Sequence, residues 1–597
     1  MSSSYAKIWA SIVAAAAVLT VAPAELTIAR QAAAAEAPAT SSSPTITEAV
    51  IYSFCSLHDL STGACLDGQG PNGLIQGTDG NFYGTTGSGF ASGGTMFKLT
   101  PSGALTTLHT FCPNMDPNRL GCPDGAAPGG VIEGSDGNFY GTAANGGVNA
   151  DHDGGSAGTA YMVTPSGVLT TLHAFCAQVD PSSQNCLDGE SPDSIIEGSD
   201  GNFYGTTDQG GPYAFGGARP AGTVFKMAPS GVLTTLYSFC STQNLIGCLD
   251  GEEPGGLIQG TDGNFYGITI SGGQFVTPLL VGGTVFKVTP SGTFTTLYSF
   301  CSRKDPNTGN CLDGNAPAGV IESSDGNFYG TTFSGGAHDD GTVFKLTPSG
   351  TLTTLYSFCS KGDSSINECL DGTDPAGVIE GSDGNFYGTT HAGGEFASVS
   401  AAGTAFMITP SGTLTTLYSF CSQLDPINFS RCLDGAEPDV GLIKASDGNF
   451  YGITSIGGAT GDFGWGTAFK LSLSSPTSVS GSLTISPGQH SFGTPVVGNT
   501  HQGIFTVHAH SPNAASIILE SFMIAGQGDY LVNPTMTTCQ QGQTLENGQQ
   551  CEIVVDFTPS RAAQETGTLV VTSNATEVSP KHGMVRLKGS GRPRGRK

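Results

Sequence analysis

Three loop segments carry side chains of the kind that bind or transform a ligand. Asp151-His152-Asp153 sets two carboxyls around one imidazole, a combination that can coordinate a divalent cation. Tyr213, Phe215 and Arg219 lie close together in a second segment, and His338-Asp339-Asp340 form a third. The plainer reading of each segment is a solvated polar loop. His508 and His510, two apart on an expected strand, could share a face but lack further ligands nearby. There is no Gly-x-Ser-x-Gly elbow with placed partners and no phosphate-binding loop. The sequence therefore assigns no catalytic residue, cofactor or metal.

Sixteen cysteines form the other chemical set. Fourteen fall in close pairs: Cys55/Cys65, Cys112/Cys122, Cys176/Cys186, Cys240/Cys248, Cys301/Cys311, Cys359/Cys369 and Cys421/Cys432. Cys539 and Cys551 make an eighth pair. Zinc sites usually use closer spacings, so local disulfides are expected. A loop of about ten residues closed in this way contributes roughly 2–3 kcal/mol.

The elements that position these residues repeat. Asp-Gly-Asn-Phe-Tyr-Gly begins at Asp79, Asp136, Asp200, Asp262, Asp325, Asp383 and Asp447, seven copies spaced 57 to 64 residues apart. An apolar run such as Gly73-Leu74-Ile75 precedes each copy, and a variable Gly-rich stretch follows it. Then come Gly-Thr-Val-Phe, as in Gly222 to Phe225, and in six copies Pro-Ser-Gly and a Leu-Thr-Thr-Leu-Tyr-Ser-Phe-Cys type run. These are four short strands, a to d, rich in β-branched and aromatic residues. Asp-Gly suits the a–b hairpin, and Pro-Ser-Gly suits the c–d hairpin.

Four-stranded units of this period read as propeller blades. Thr45 to Phe54 matches strand d but has no a, b or c before it, while the last repeat stops after strand c at Gly466 to Leu471. The expectation is an all-β chain: a seven-bladed β-propeller over 45–471, closed by pairing of the N-terminal strand with the last strand c, followed by an immunoglobulin-like β-sandwich. Closure removes exposed edges. An open solenoid is the competing architecture. A Ser/Thr/Pro-rich linker is expected over 472–481, the sandwich over 482–591 and a basic tail over 592–597.

The Asp-Gly-Asn-Phe-Tyr-Gly-Thr-Thr, Gly-Thr-Val-Phe-Lys-Leu-Thr-Pro-Ser-Gly and Leu-Thr-Thr-Leu-Tyr-Ser-Phe series resembles the GloVer-type bacterial extracellular tandem repeat over about residues 47 to 471. The paired cysteines extend that pattern. The tail, with Phe492-Gly493, Cys539, Cys551 and Val555-Asp556-Phe557-Thr558-Pro559, resembles the choice-of-anchor or ASH-type immunoglobulin-like domain. Ser511-Pro512-Asn513 stands where that family has Asn-x-Gly. The resemblance implies export and β-architecture. It implies no reaction and brings no catalytic residues.

Lys7, the apolar stretch Ile8 to Ala24 and the small residues after it read as a signal peptide and leader over 1–37. A permanent N-terminal anchor is the alternative, but the run is short and interrupted by Pro23. With no later apolar span, the mature chain is expected to be secreted or in the cell envelope, periplasmic or at the cell surface. A net charge of −27 argues against nucleic-acid binding and against anionic membranes.

In this strand order the b–c and d–a loops share a face. That face carries the variable segments, so the ligand is expected there. Gln76, Glu133, Glu197, Gln259, Glu322, Glu380 and Lys444 occupy one position of strand a, where the acids could line a channel and hold a cation. Burial beside backbone donors, or exposure, is the plainer reading of them. The functional expectation is a monomeric, noncatalytic binding or interaction protein whose ligand is a glycan or a protein. The alternatives are a polysaccharide-active hydrolase or lyase on the same face, which needs a carboxyl pair near the axis, and a structural surface protein.

Overall fold

The computed structural model describes residues 46–592 except 58–64, 89–92, 114–121, 150–156, 214–220, 246, 276–280, 364–367, 398–401, 426–430, 460–463, 474–478, 512–516, 526–528, 534–535, 541–542, 574 and 580–583. The expected leader, Asp151 to Asp153, Phe215, Arg219 and the tail beyond Arg592 lie outside the described residues. Every regular element among those described is a strand, and none is a helix long and apolar enough to cross a membrane.

The chain divides into two units, one covering Glu48–Ser472 and one from Leu473 onward. The first unit holds seven four-stranded sheets. Sheet 1 runs Gln69–Gln76, Phe82–Ser88, Thr95–Leu99 and Leu105–Thr110 as strands a to d. Sheets 2 to 6 repeat this order, beginning at Ala126, Glu190, Glu252, Asn315 and Thr373. Sheet 7 takes Ile443–Lys444, Phe450–Thr454 and Thr467–Leu473 as a to c, and its fourth strand is the N-terminal Ile46–Ser53.

The turns follow from residue chemistry. Gly80 and Gly103, in the a–b and c–d turns of sheet 1, sit at φ 80° and 91°, which a Cβ disfavours. Between sheets the core is aromatic. Tyr83 stacks on Phe139 at 4.1 Å, Tyr204 on Phe265 at 3.9 Å and Tyr329 on Phe386 at 4.0 Å, each pair joining one sheet to the next. Phe82 of sheet 1 meets Tyr451 of sheet 7 at 4.3 Å, so the last sheet packs on the first as the others pack on their neighbours. Strands a of successive sheets among sheets 1 to 6 lie against one another. Their fifth residues include Gly73, Gly130, Gly256, Gly319 and Gly377, and a Cβ on Gly73 would come within 3.3 Å of the Gly130 Cα.

All sixteen cysteines are paired, each with the neighbour that its spacing nominates. Cys55 bonds to Cys65, Cys112 to Cys122, Cys176 to Cys186 and Cys240 to Cys248. Cys301 bonds to Cys311, Cys359 to Cys369, Cys421 to Cys432 and Cys539 to Cys551. The first seven of these disulfides close d–a loops. The second cysteine of each loop does more than its spacing foretold. The carbonyls of Cys122, Cys186, Cys248, Cys311, Cys369 and Cys432 each accept, at 2.8 Å, from a glycine amide that opens the b–c loop of the following sheet. The staple thus ties two loops together, where the spacing implied one.

The second unit is two five-stranded sheets. Leu483, Phe505, Val507, Ile553 and Val555 of one sheet share a core with Ile517, Leu519, Leu569, Val571 and Val585 of the other. Both flanks of the expected linker are strands, Thr467–Leu473 and Val479–Ser486. Arg592 pairs its backbone with Pro495 and Val497.

Candidate functional site

Most polar residues of the repeat hold the scaffold. Each hexapeptide aspartate binds its own turn: Asp79 accepts from the Asn81 amide at 3.0 Å, Asn81 Nδ2 at 2.8 Å and Tyr83 Oη at 2.9 Å. In five sheets a strand-c lysine joins, as Lys98 does at 2.8 Å. Partial burial raises the Asp79 pKa, but the Lys98 ammonium and the Asn81 and Tyr83 donors outweigh it and hold the group well below the usual carboxylate range. Met162 and Met407 replace the lysine in sheets 2 and 6.

A second set of aspartates braces the disulfide loops. Asp313 is fully buried and accepts from Tyr298 Oη at 2.7 Å, the Ser302 amide at 2.9 Å, Ser302 Oγ at 2.7 Å and the Arg303 amide at 3.2 Å. Asp67, Asp250, Asp371 and Asp434 repeat this arrangement, while His109 and His173 replace the tyrosine beside Asp124 and Asp188. The cysteines themselves belong to this scaffold. Cys65, Cys122, Cys186, Cys248 and Cys432 are buried or half-buried with their sulfurs bonded, so they offer no thiol to a ligand or metal.

The strand-a acids also have partners. Glu133 accepts from the Thr78 amide and Thr78 Oγ1, both at 2.7 Å, clamping the turn of the preceding sheet. Glu197, Glu322 and Glu380 do the same one sheet on, Gln259 accepts from the Ser199 amide and donates Nε2 to Ser199 Oγ, and Gln76 receives the Ser446 amide of sheet 7 at 2.7 Å. These side chains join sheets instead of gathering as a cation site. Lys444 breaks the series: as a donor it cannot accept from the turn of sheet 6.

The register of the strands puts the d–a and b–c loops at one end of every sheet. Gln69 pairs with Ser88, Thr86 with Thr95, and Thr95 with Thr110. On this loop face the second residue after the Asp-Gly that follows each disulfide adopts a left-handed conformation in all seven repeats. Gly70 does so without strain. Ala127, Ser191, Glu253, Ala316, Asp374 and Glu437 do so at φ 51° to 56°, each with a Cβ. Strain of this kind, of order 1 kcal/mol per residue, is typical of functional sites.

The departures from sevenfold regularity are densest between sheets 6 and 7. Strand a of sheet 7 has one extra residue, in Glu437-Pro438-Asp439-Val440-Gly441 against Asp374-Pro375-Ala376-Gly377 in sheet 6. The insertion cuts the paired strand to Ile443–Lys444 and brings Asp439 against His391 Nδ1. His391 stands at the end of strand b, where other repeats have Gly87, Ala144, Asp208, Ile270, Phe333 or Ser455. Burial lowers the His391 pKa, but the Asp439 hydrogen bond and charge more than reverse this. Burial lifts Asp374 to about 6, with His391 opposing and Asp340 adding to the shift. Burial also raises Glu437, with His391 opposing. His391 and Asp439 thus pair at the loop-face end of sheets 6 and 7, and the charges of Asp374 and Glu437 act on His391 there.

The predicted loop residues fall around this cluster in part. The Asp374 amide donates to the Asp340 carbonyl at 3.1 Å, and Asp339 Oδ1 accepts from the Gly335 amide at 3.1 Å. Asp340 is raised by burial and by Asp339. Asp340 lies beside Cys359 and Cys369, but both sulfurs are spent in a disulfide and leave no metal ligand there. Tyr213 is exposed in the b–c loop of sheet 3, and its carbonyl accepts from the Ala221 amide at 3.2 Å. Sequence reasoning missed Phe275 and Trp465, exposed in the b–c loops of sheets 4 and 7. Among the described residues, the strongly exposed aromatics are Tyr213, Phe275 and Trp465, all on this one face. His508 and His510 lie outside this unit, on the strand His501–His510, half-buried and exposed respectively.

These features define an all-β protein of repeated, disulfide-braced four-stranded sheets. The chain belongs to the Gloeobacter/Verrucomicrobia repeat family, whose matches cover residues 39–186, 119–311, 181–368 and 306–511. The comparison with curated proteins returns no match. Among solved structures the chain is similar to a protein assigned as a gluconolactonase, at 10% identity and TM-score 0.29 over 58% of this chain and 87% of that one. It is similar to a luciferin-regenerating enzyme at 12% identity and TM-score 0.31, over 68% and 91%. A Thermus thermophilus protein assigned as an oxidoreductase (glucose dehydrogenase) gives 13% and 0.33, over 72% and 100%. Likenesses this distant carry no activity to this chain.

Proposed function

We propose that the protein is an exported, noncatalytic glycan-binding protein of the cell envelope or extracellular space. In this reading Glu48–Ser472 is a closed seven-bladed β-propeller and the second unit is an immunoglobulin-like sandwich. The ligand sits on the loop face. One observation carries the reading: the repeated polar residues are consumed in bracing sheets, while the exposed aromatics and the His391–Asp439 pair stand on that face. Exposed aromatic rings of that face supply flat apolar surfaces on which sugar rings stack, and its carboxyls accept sugar hydroxyls. Closure is supported by the N-terminal strand in sheet 7, the Ser446–Gln76 bond and the Phe82–Tyr451 contact. Eight disulfides support an oxidising location.

The full chain should retain specific members of a polysaccharide panel, and Tyr213→Ala with Phe275→Ala and Trp465→Ala should lose them while keeping the circular dichroism spectrum. Retention unchanged in the triple variant would refute the reading. A polysaccharide hydrolase or lyase is the second reading. It is favoured by a histidine held by Asp439 near a carboxyl of pKa about 6, groups suited to proton transfer. Soluble products released from the retained polysaccharide would establish it.

A further inference from the structure

The N-terminal strand Ile46–Ser53 carries a residue that strand d of the other sheets never places there. Glu48 lies four residues before Tyr52, the position of Leu105, Leu169, Leu233, Phe294, Leu352 and Leu414. That position packs over the strand-d tyrosine or histidine of the preceding sheet. In sheet 4, Phe294 stacks on Tyr237 at 3.9 Å with ring planes 5° apart. Glu48 instead sets a carboxyl over Tyr418.

The surroundings suit a neutral carboxyl only. Glu48 Oε1 is buried and has no hydrogen-bond partner among the described residues. Glu48 Oε2 lies 3.5 Å from Tyr418 Oη, but that hydroxyl gives its proton to Asp434 at 2.7 Å. Asp434 is fully buried and already takes the Ser422 amide, Ser422 Oγ and the Gln423 amide. Arg431, in the same loop, pairs with Asp425. On the strand's own side, Tyr52 is committed to Asp67 at 2.6 Å. An ionised Glu48 would therefore face a second carboxyl across a tyrosine whose only proton is in use.

We propose that the N-terminal strand is a proton-gated latch: with Glu48 protonated it stays seated as the fourth strand of sheet 7, and with Glu48 ionised it is released, exposing the edge of Thr467–Leu473. The proposal rests on the closed-ring reading above. Burial, then the charge of Asp434, push Glu48 up to about 8. The sign follows from linkage. A raised pKa in the seated state means that this state binds the proton more tightly, so seating weakens as pH rises from about 4.5 through about 8. Full coupling shifts the opening equilibrium roughly tenfold per pH unit in that window.

Hydrogen–deuterium exchange of the full chain at pH 6 and 8.5, corrected for intrinsic exchange, tests this. Residues 46–53 and 467–473 should lose protection by at least about tenfold between the two pH values, while 328–334 of sheet 5 stay unchanged. Glu48→Gln and Glu48→Leu should abolish the change. Equal protection at both pH values in the unmodified chain, or the same loss in Glu48→Leu, would overturn the latch. A strand 46–53 unprotected even at pH 6 would overturn the closed ring along with it.

Discussion

Replacing Asp374 with asparagine should stabilise the repeat unit, and the gain should depend on pH. The substitution keeps the size of the side chain and the tolerance of a left-handed backbone, here at φ 56°. It removes a carboxyl that burial has moved from 3.8 to about 6. Taken fully, that shift corresponds to about 3 kcal/mol at 1.36 kcal/mol per unit. The side chain is only partly shielded, so screening by water reduces the expected gain to roughly 1–2 kcal/mol. A raised folded-state pKa penalises the fold once the unfolded carboxyl ionises. The penalty is therefore absent below about pH 4, grows between 4 and 6 and is complete above. Urea unfolding at pH 4, 5.5 and 7.5, followed by the fluorescence of Trp465, reads this directly; Trp9 of the expected leader is the chain's other tryptophan. The Asp374→Asn variant should match the parent at pH 4 and exceed it at 7.5, with lost polysaccharide retention. Equal or lower stability at pH 7.5 would mean that the carboxyl is a structural acceptor and would refute its burial as a cost to the fold.

Other consequences are simpler to state. Converting Cys301 and Cys311 to serine should cost about 2–3 kcal/mol, read as a lower urea midpoint, because the loop they close spans ten residues. Asp313→Ala strips acceptors from two backbone amides and two hydroxyls in a buried loop, and roughly 2–4 kcal/mol of destabilisation should follow. Lys226→Met, which copies what sheets 2 and 6 already contain, should change stability by less than about 1 kcal/mol, since this ion pair is solvent-exposed.

The strand quartets were legible because their signals are local. Asp-Gly and Pro-Ser-Gly fix hairpins, and the residues between them are rich in β-branched and aromatic types. The displaced N-terminal strand was legible for the same reason, from its match to strand d. The cysteine pairs were legible from spacing alone, but the backbone bonds from Cys122 or Cys248 to the next b–c loop were not. The inter-sheet clamps were hidden too. Glu133 and its partner Thr78 lie 55 residues apart, and nothing in either segment names the other. The left-handed positions gave no sign because Ala127, Ser191 and Glu253 are residue types that carry no local cue to such a backbone. The extra residue at Asp439 was visible as a change of spacing, but its meeting with His391 depends on how two sheets pack. Loop reasoning reached His338 to Asp340 and Tyr213 yet passed over Phe275 and Trp465, which stand in segments without a charged motif.

In the proposed reading the loop face, and not the turn face, recognises a glycan. The direct measurement is retention on a polysaccharide panel by the full chain, by an Asp374→Ala/Glu437→Ala variant and by a Ser324→Ala variant on the turn face, with folding checked by circular dichroism. The parent and Ser324→Ala should be retained, and the double variant should not. Retention surviving in the double variant, or lost equally in both, would contradict it.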